Sequence, residues 1–213
     1  MAIVTISRMY GSGGSDIAAR VAQSLGWSLL DNAFVDAVAE RLGVPRDEIS
    51  AREERVPSLA ERLANAMALG SPEMMPPLPD TPLPPSEERI IEVTRRVVEE
   101  AIGQGPVVLV GRGAQSMLAA REDTIHVFCY APKPALVARA ARRLNVSAEE
   151  AERIVDETNR NREQYVKKHW NRSWKAHENY HLCVNTEWLG IAGAAQMIVR
   201  LAQDTFGQAA RPN

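Results

Sequence analysis

The sequence is poor in the features that staple, anchor or coat a protein. Two cysteines, Cys129 and Cys183, among 213 residues cannot build a disulfide framework. Both sit in apolar, strand-like runs, which reads as buried free thiols in a reducing cytosol. No apolar run approaches the roughly 18 residues a membrane span needs. The opening Met1-Ala2-Ile3-Val4-Thr5-Ile6-Ser7 has no basic segment ahead of an apolar one, so neither a signal peptide nor a membrane partner is expected, and the cytoplasm is the expected location. Neither sign of charge is in excess: 25 bases face 27 acids for a net −2. That balance excludes a general nucleic-acid coat, and any anion site must be a local cluster. His126, His169, His177 and His181 form no H-E-x-x-H, and no C-x-x-C exists, so no metal motif is present. A G-x-S-x-G nucleophile elbow is also missing.

What is present is the alternating pattern of an α/β protein. At 45% hydrophobic, one domain of this length buries roughly 70% of its unfolded surface. Ile3–Ile6 predicts a buried strand, followed by the turn Gly11-Ser12-Gly13-Gly14-Ser15-Asp16 and a helix carrying Ile17, Val21 and Leu25, with Asp16 or Ser15 as its cap. Further strands are expected at 27–30, 106–110, 125–130 and 181–184. Helices are expected at 32–43, 58–69, 87–102, 133–144, from Ser147 past Arg162, and at 189–206. Ser147 and Glu150 have capping-box spacing, and Ser86 precedes Glu87 and Glu88 as a cap. Seven of the thirteen prolines fall in 71–85, a density that forbids helix and sheet. That stretch is expected to be a mobile insert, with a protein partner as one possible use. Short apolar strands alternating with helices predict a parallel, doubly wound sheet.

In such sheets ligands bind at the carboxyl ends of strands. The turn Gly11–Asp16 leaves the first strand and enters the first helix, so its backbone N–H groups converge on one spot suited to phosphate. It is not a complete Walker A loop, G-x-x-x-x-G-K-[ST]: the first glycine position is Arg8 and the lysine position is Gly14. A dinucleotide G-x-G-x-x-G is not met either. Arg112 lies between Gly111 and Gly113 directly after a strand, where it can grip a phosphate bidentately. Arg139, Arg142 and Arg143 share one helix, and Arg160 and Arg162 the next. Two such clusters predict a hairpin with an electropositive inner face, able to close over transferring phosphates. Trp170 and Trp174 lie among Lys167, Lys168, Arg172 and Lys175, and read as packing residues before base-stacking ones.

The stretches Ile6-Ser7-Arg8-x-Tyr10-Gly11-Ser12-Gly13-Gly14, Leu30-Asp31, Val108-x-Val110-Gly111-Arg112-Gly113-Ala114, Phe128-x-Tyr130-Ala131-Pro132, Ser147-x-Glu149-Glu150-Ala151 to Arg162, and Asn179-Tyr180-x-Leu182-Cys183-Val184-Asn185-Thr186-x-x-Leu189-Gly190 together resemble the cytidylate kinase-like family. The resemblance covers most of the chain outside the proline-rich stretch. It implies a P-loop NTPase-type α/β fold, a doubly wound sheet of about five parallel strands. One domain would span 1–213, with a helical acceptor-side region at 32–70, the insert at 71–85 and a lid at 133–175. It implies ATP with Mg²⁺ and a nucleoside monophosphate, CMP or dCMP first. By the same resemblance Gly11, Ser12, Gly13, Gly14 and Ser15 hold the donor phosphates; Asp16 beside them, and Arg8, which projects from the same loop and is the candidate substitute for the missing lysine, are counted with them from their place in the turn. Asp31 and Arg112 hold the acceptor. Arg160 and Arg162, with Arg112, act on the transferring group, Arg160 ahead of Arg162. Arg139, Arg142 and Arg143 belong to the lid, and Asn185 and Thr186 lie on the adenine side. Set against true cytidylate kinases, the chain departs at Gly14 for lysine, at Asp16, with Ser15 beside it, for the Mg²⁺-binding Ser/Thr, at Gly113 for an aspartate, and in lacking an arginine between Asn32 and Glu40 to read the base. These departures keep two other readings open: a nucleotide-binding regulatory module without chemistry, and a kinase of a different small molecule.

Overall fold

The computed structural model describes residues 1–44 and 86–207, without the side chains of 32–36. Strands β1 (Ile3–Arg8), β2 (Ser28–Leu30), β3 (Val107–Val110), β4 (Thr124–Tyr130) and β5 (Leu182–Asn185) form one sheet in the order β2-β3-β1-β4-β5. Every neighbouring pair is parallel, as the alternating pattern predicts. The described helices are α1 (Gly14–Leu25), α2 (Asn32–Leu42), α3 (Glu87–Gln104), α4 (Ala114–Met117), α5 (Lys133–Leu144), α6 (Ala148–Trp170) and α7 (Thr186–Phe206). The helix expected at 58–69 and the proline-rich 71–85 lie outside the described residues.

Helices cover both faces of the sheet, which is why its strands read as continuous apolar runs. On one face Val4, Ile6, Val108 and Val127 pack against Ile17, Val21 and Leu25 of α1 and Ala194 and Ile198 of α7. On the other, Ile3, Val107 and Leu109 pack against Ile90, Val93 and Val97 of α3.

Local chemistry sets most helix ends. Ser86 Oγ accepts from the Arg89 N–H at 3.2 Å, and Ser147 Oγ from the Glu150 N–H at 3.2 Å. The capping box at Ser147 is only half made, because the Glu150 carboxylate takes Arg153 at 2.6 and 3.0 Å instead. The last helix is broken at Gly190 (φ 68°, ψ 172°): a short turn from Thr186, capped by Asn185 Oδ1, which accepts from the N–H groups of Glu187 and Trp188 at 3.0 and 3.4 Å, precedes the long helix, which begins close to the expected 189. Neither Ser15 nor Asp16 caps α1. Its cap is Gly13 in the left-handed region, with no side-chain hydrogen bond.

The cysteines divide. Cys129 is buried and its thiol is pushed up to about 12 by that burial. Cys183, expected to be buried, is exposed. It lies on edge strand β5 beside Val184, which faces the core, and successive side chains of a strand point to opposite faces.

His126 is a buried imidazole at the middle of β4, sharing a 2.7 Å hydrogen bond with Thr5 Oγ1 and stacked on His181 at 5.1 Å. Burial first, then the neighbouring His181 and Arg172, hold its pKa down to about 4. The unfolded imidazole takes up its proton near 6.5. Between those values the unfolded chain binds more protons, so stability is full above pH 6.5 and falls as pH drops towards 4, by up to about 3 kcal/mol. Urea unfolding at pH 7 and pH 4.5 should show this loss, and His126→Asn should remove most of the difference.

Candidate active site

In a parallel sheet all carboxyl ends lie along one edge. Here that edge collects Arg8 from β1, Asp31 after β2, Arg112 after β3 and Asn185 from β5. The loop from Met9 to Gly13 leaves the central strand β1 and enters α1 in a shape only glycine permits. Gly11 and Gly13 have φ of 80° and 77°. A Cβ on Gly11 would stand 2.5 Å from the Leu136 carbonyl oxygen of α5, and one on Gly13 would stand 2.1 Å from Ile191 Cδ1 of α7. The loop is therefore clasped between two helices. The first N–H groups of α1, at Gly14, Ser15 and Asp16, have no acceptor within the helix, and no side chain caps them. Such a terminus presents donors and a positive dipole end to an anion.

At the end of β1, where the stem of Arg8 lies against Gly14, is a cavity of about 20 Å³, whose walls include Arg8, Arg112 and Arg162 together with Ser7, Gln115, Ser116 and Tyr165. Three arginines from three parts of the chain thus share one small space, and among the described residues no carboxylate lines it directly. Arg112 has a left-handed backbone (φ 53°) between Gly111 and Gly113, a conformation that costs a non-glycine residue roughly 1–2 kcal/mol and is concentrated at functional positions. Gly113 is obligatory: a Cβ there would stand 2.3 Å from the ring of Trp170. Arg8 Nη2 lies 3.7 Å from Asp31 Oδ1. Arg162 is only 6% exposed. It donates through Nη1 to the Arg8 carbonyl at 2.9 Å and lies 5.9 Å from the Tyr10 ring centroid. Asn159 Oδ1 accepts from the Tyr10 N–H at 2.8 Å, so α6 is stitched to the start of the loop.

The arginine hairpin has a different inner face from the one expected. Helices α5 and α6 meet through Leu136, Ala140, Ala151 and Val155, an apolar seam. Arg139 is drawn to the start of α7, bonding Thr186 Oγ1 at 2.9 Å, the Thr186 carbonyl at 3.0 Å and Glu187 at 2.7 Å. Arg142 donates to Ala138 of its own helix, and Arg142, Arg143 and Arg160 are exposed. Of the two α6 arginines expected to act on the transferring group, Arg162 lines the cavity and Arg160 does not. Thr186 and Asn185 are engaged in holding Arg139 and capping α7.

Gln115 and Ser116 were not legible as site residues. Both sit in the short helix α4, where a single turn carries no periodicity to read. Gln115 Nε2 donates to the Asn179 carbonyl at 2.9 Å, and Arg172 grips Asn179 Oδ1 at 2.7 and 3.2 Å, so the cavity's rear wall is itself anchored. Trp174 is buried edge-on to Phe128 at 5.4 Å, the packing role expected of it.

The sequence profile of the cytidylate kinase-like family matches residues 3–188. The chain belongs to the cytidylate kinase-like family. Its fold is that of the P-loop kinases. An uncharacterized protein from Eubacterium ventriosum ATCC 27560 superposes with a TM-score of 0.67 at 19% identity, covering 95% of this chain and 99% of that one. The shikimate kinase from Bacteroides thetaiotaomicron gives 0.53 at 14% identity over 95% and 98% of the two chains, and a gluconokinase from Sinorhizobium meliloti 1021 gives 0.52 at 13% over 97% of each. No protein of curated function matches the sequence. Family and fold together are those of nucleotide and small-molecule kinases. Two of the glycines at this edge have their side-chain space filled: at Gly14 it is taken by Arg8, and at Gly113 by Trp170. Among the described residues no group of three His, Cys, Asp or Glu side chains could hold a metal by itself, and no helix is long and apolar enough to cross a membrane.

Proposed function

We propose that the protein is an ATP-dependent phosphotransferase whose acceptor is a phosphate monoester, with the nucleoside monophosphates CMP and dCMP first by family. The observation that carries this reading is the convergence of Arg8, Arg112 and Arg162 on one space, with the stem of Arg8 lying against Gly14 in the first turn of α1. An acceptor hydroxyl needs a base to take its proton. An acceptor phosphate does not, because its second pKa is near 6 and its oxygen is already ionised at neutral pH. Three guanidiniums converging on one space, with the Asp31 carboxylate 3.7 Å from Arg8, suit the dianionic acceptor.

In this reading the N–H groups of Gly11 to Asp16 hold the donor phosphates, and Arg112 and Asp31 position the acceptor. The acceptor's phosphate oxygen forms a bond to the terminal phosphorus of ATP as the bond to ADP breaks, and ADP leaves with that electron pair. Arg162 stabilises the charge on the transferring oxygens, with Arg160 second to it, the reverse of the order read from sequence. Asn185 and Thr186 flank the adenine side. Bound Mg²⁺ would neutralise charge on the donor phosphates, and Ser15 and Asp16 in the first turn of α1 would be the residues to meet it.

The test incubates the protein with ATP, Mg²⁺ and CMP, dCMP, UMP, AMP or GMP, beside shikimate and gluconate. A nucleoside diphosphate is expected from one or two of the monophosphates and no phosphorylated shikimate or gluconate. Transfer only to a hydroxyl acceptor would overturn the acceptor assignment. The absence of a lysine at Gly14 favours one second reading, a nucleotide-binding regulatory module. Tight ATP binding with no transfer to any acceptor would select it.

A further inference from the structure

The loop lacks the lysine that in a Walker A motif reaches the β- and γ-phosphates. The position is Gly14, and its surroundings differ from those of the other loop glycines. A Cβ built on Gly14 would lie 2.5 Å from Arg8 Cβ, 3.0 Å from Cδ and 3.2 Å from Cγ. The aliphatic stem of Arg8 therefore occupies the space in which a side chain at 14 would begin. Its guanidinium continues to the cavity edge, lining it with Arg112 and Arg162 and lying 3.7 Å from Asp31. Arg8 stands where the Walker pattern has its first glycine, so the exchange is reciprocal: an arginine for that glycine, a glycine for that lysine.

We infer that Arg8 is the donor-phosphate cation of this loop, delivered from the end of β1 instead of from the first turn of α1, with Gly14 left bare to let its stem pass. This rests on the donor site proposed above. The ligand it takes is the β,γ end of a nucleoside triphosphate. A guanidinium contributes two parallel N–H donors where an ammonium contributes one point charge. Asp31 holds the guanidinium at the edge of the cavity, near where the phosphates arrive.

The experiment measures ATP, ADP and AMP binding with Mg²⁺ to the full chain by calorimetry. Arg8→Gln keeps most of the stem and removes the charge. It should weaken ATP roughly thirtyfold, ADP less, and AMP by no more than about twofold, since AMP lacks the phosphates concerned. Arg8→Gly, which also clears the Cβ that a side chain at 14 would meet at 2.5 Å, should weaken ATP alike, and adding Gly14→Lys to it should recover most of the ATP affinity. Gly14→Ala should lower Tm when Arg8 is present and much less in an Arg8→Gly background, which removes the Cβ 2.5 Å away, a steric coupling that is readable without any ligand. Unchanged ATP affinity in Arg8→Gln, or equal weakening of all three nucleotides, would overturn the assignment. If the unaltered chain bound none of the three, the donor site itself would fall, and this inference with it.

Discussion

Arg162→Ala is expected to lower turnover roughly a thousandfold, while Arg160→Ala stays within about threefold of the unaltered enzyme. The two residues are two positions apart on α6, and a helix turns about 200° between such positions, so they cannot face the same way. Arg162 faces inward, 6% exposed, onto the Arg8 carbonyl and the cavity. Arg160 faces solvent. In a transfer with no covalent intermediate on the protein, placed positive charge is most of what the side chains supply. Removing Arg162 also leaves the Arg8 carbonyl without its donor, at a cost to stability of about 1–3 kcal/mol. Kinetics and Tm are therefore measured together. Arg162→Lys separates the two roles: it restores charge but not the planar reach across Tyr10 to the carbonyl, and it should recover only part of the turnover. A folded Arg162→Ala with unchanged kcat, or a large kcat loss in Arg160→Ala, would remove Arg162 from the transferring group.

Gly11→Ala should destabilise the chain by about 2–5 kcal/mol and abolish nucleotide binding. Two costs coincide there. The φ of 80° lies in the left-handed region, and the added methyl would stand 2.5 Å from the Leu136 carbonyl oxygen and 3.1 Å from its carbonyl carbon and Cα. All three are backbone atoms of α5, which cannot rotate aside as the end of a side chain can. The loop would have to lift from α5, and with it the N–H groups aimed at the donor phosphates. Gly103→Ala is the control. Gly103 is exposed inside α3 with nothing within 4 Å of an added Cβ, so alanine there should stabilise the chain by roughly 0.5–1 kcal/mol. Chemical denaturation of both variants, with ATP titrations of each, decides the point. A Gly11→Ala protein as stable as its parent would show that the clasp between α5 and α7 is loose.

Much of this was legible along the chain because it is decided locally. The β-branched runs at Ile3–Ile6, 106–110 and 125–130 become buried parallel strands, since such runs have no polar face to show to water. Ser86 and Ser147 start helices by satisfying N–H groups a few residues away. The glycine turn announces an anion cradle because strand, turn and helix are contiguous. Where reading failed, the deciding partner was remote. Ser15 and Asp16 are good caps in isolation, yet packing of Gly11 and Gly13 against Leu136 and Ile191 moves the helix start to Gly14. The α5–α6 hairpin carries enough arginines to suggest a charged inner face, but its alanines, leucine and valine make the seam and Arg139 finds Thr186 and Glu187 on another helix.

By itself, the sequence determined the alternation of strands and helices, the parallel sheet, the phosphate-type loop and the kinase-like family, because backbone propensity, apolar period and contiguous motifs act over a few residues. Only the tertiary structure decided which cations meet. Arg8 and Arg162 are 154 residues apart and touch. Trp170 fills the space a side chain at 113 would need, and the stem of Arg8 fills that of position 14. Those choices follow from how close-packed helices settle on a sheet, where every added atom needs a place, and no local stretch of chain encodes that arrangement alone.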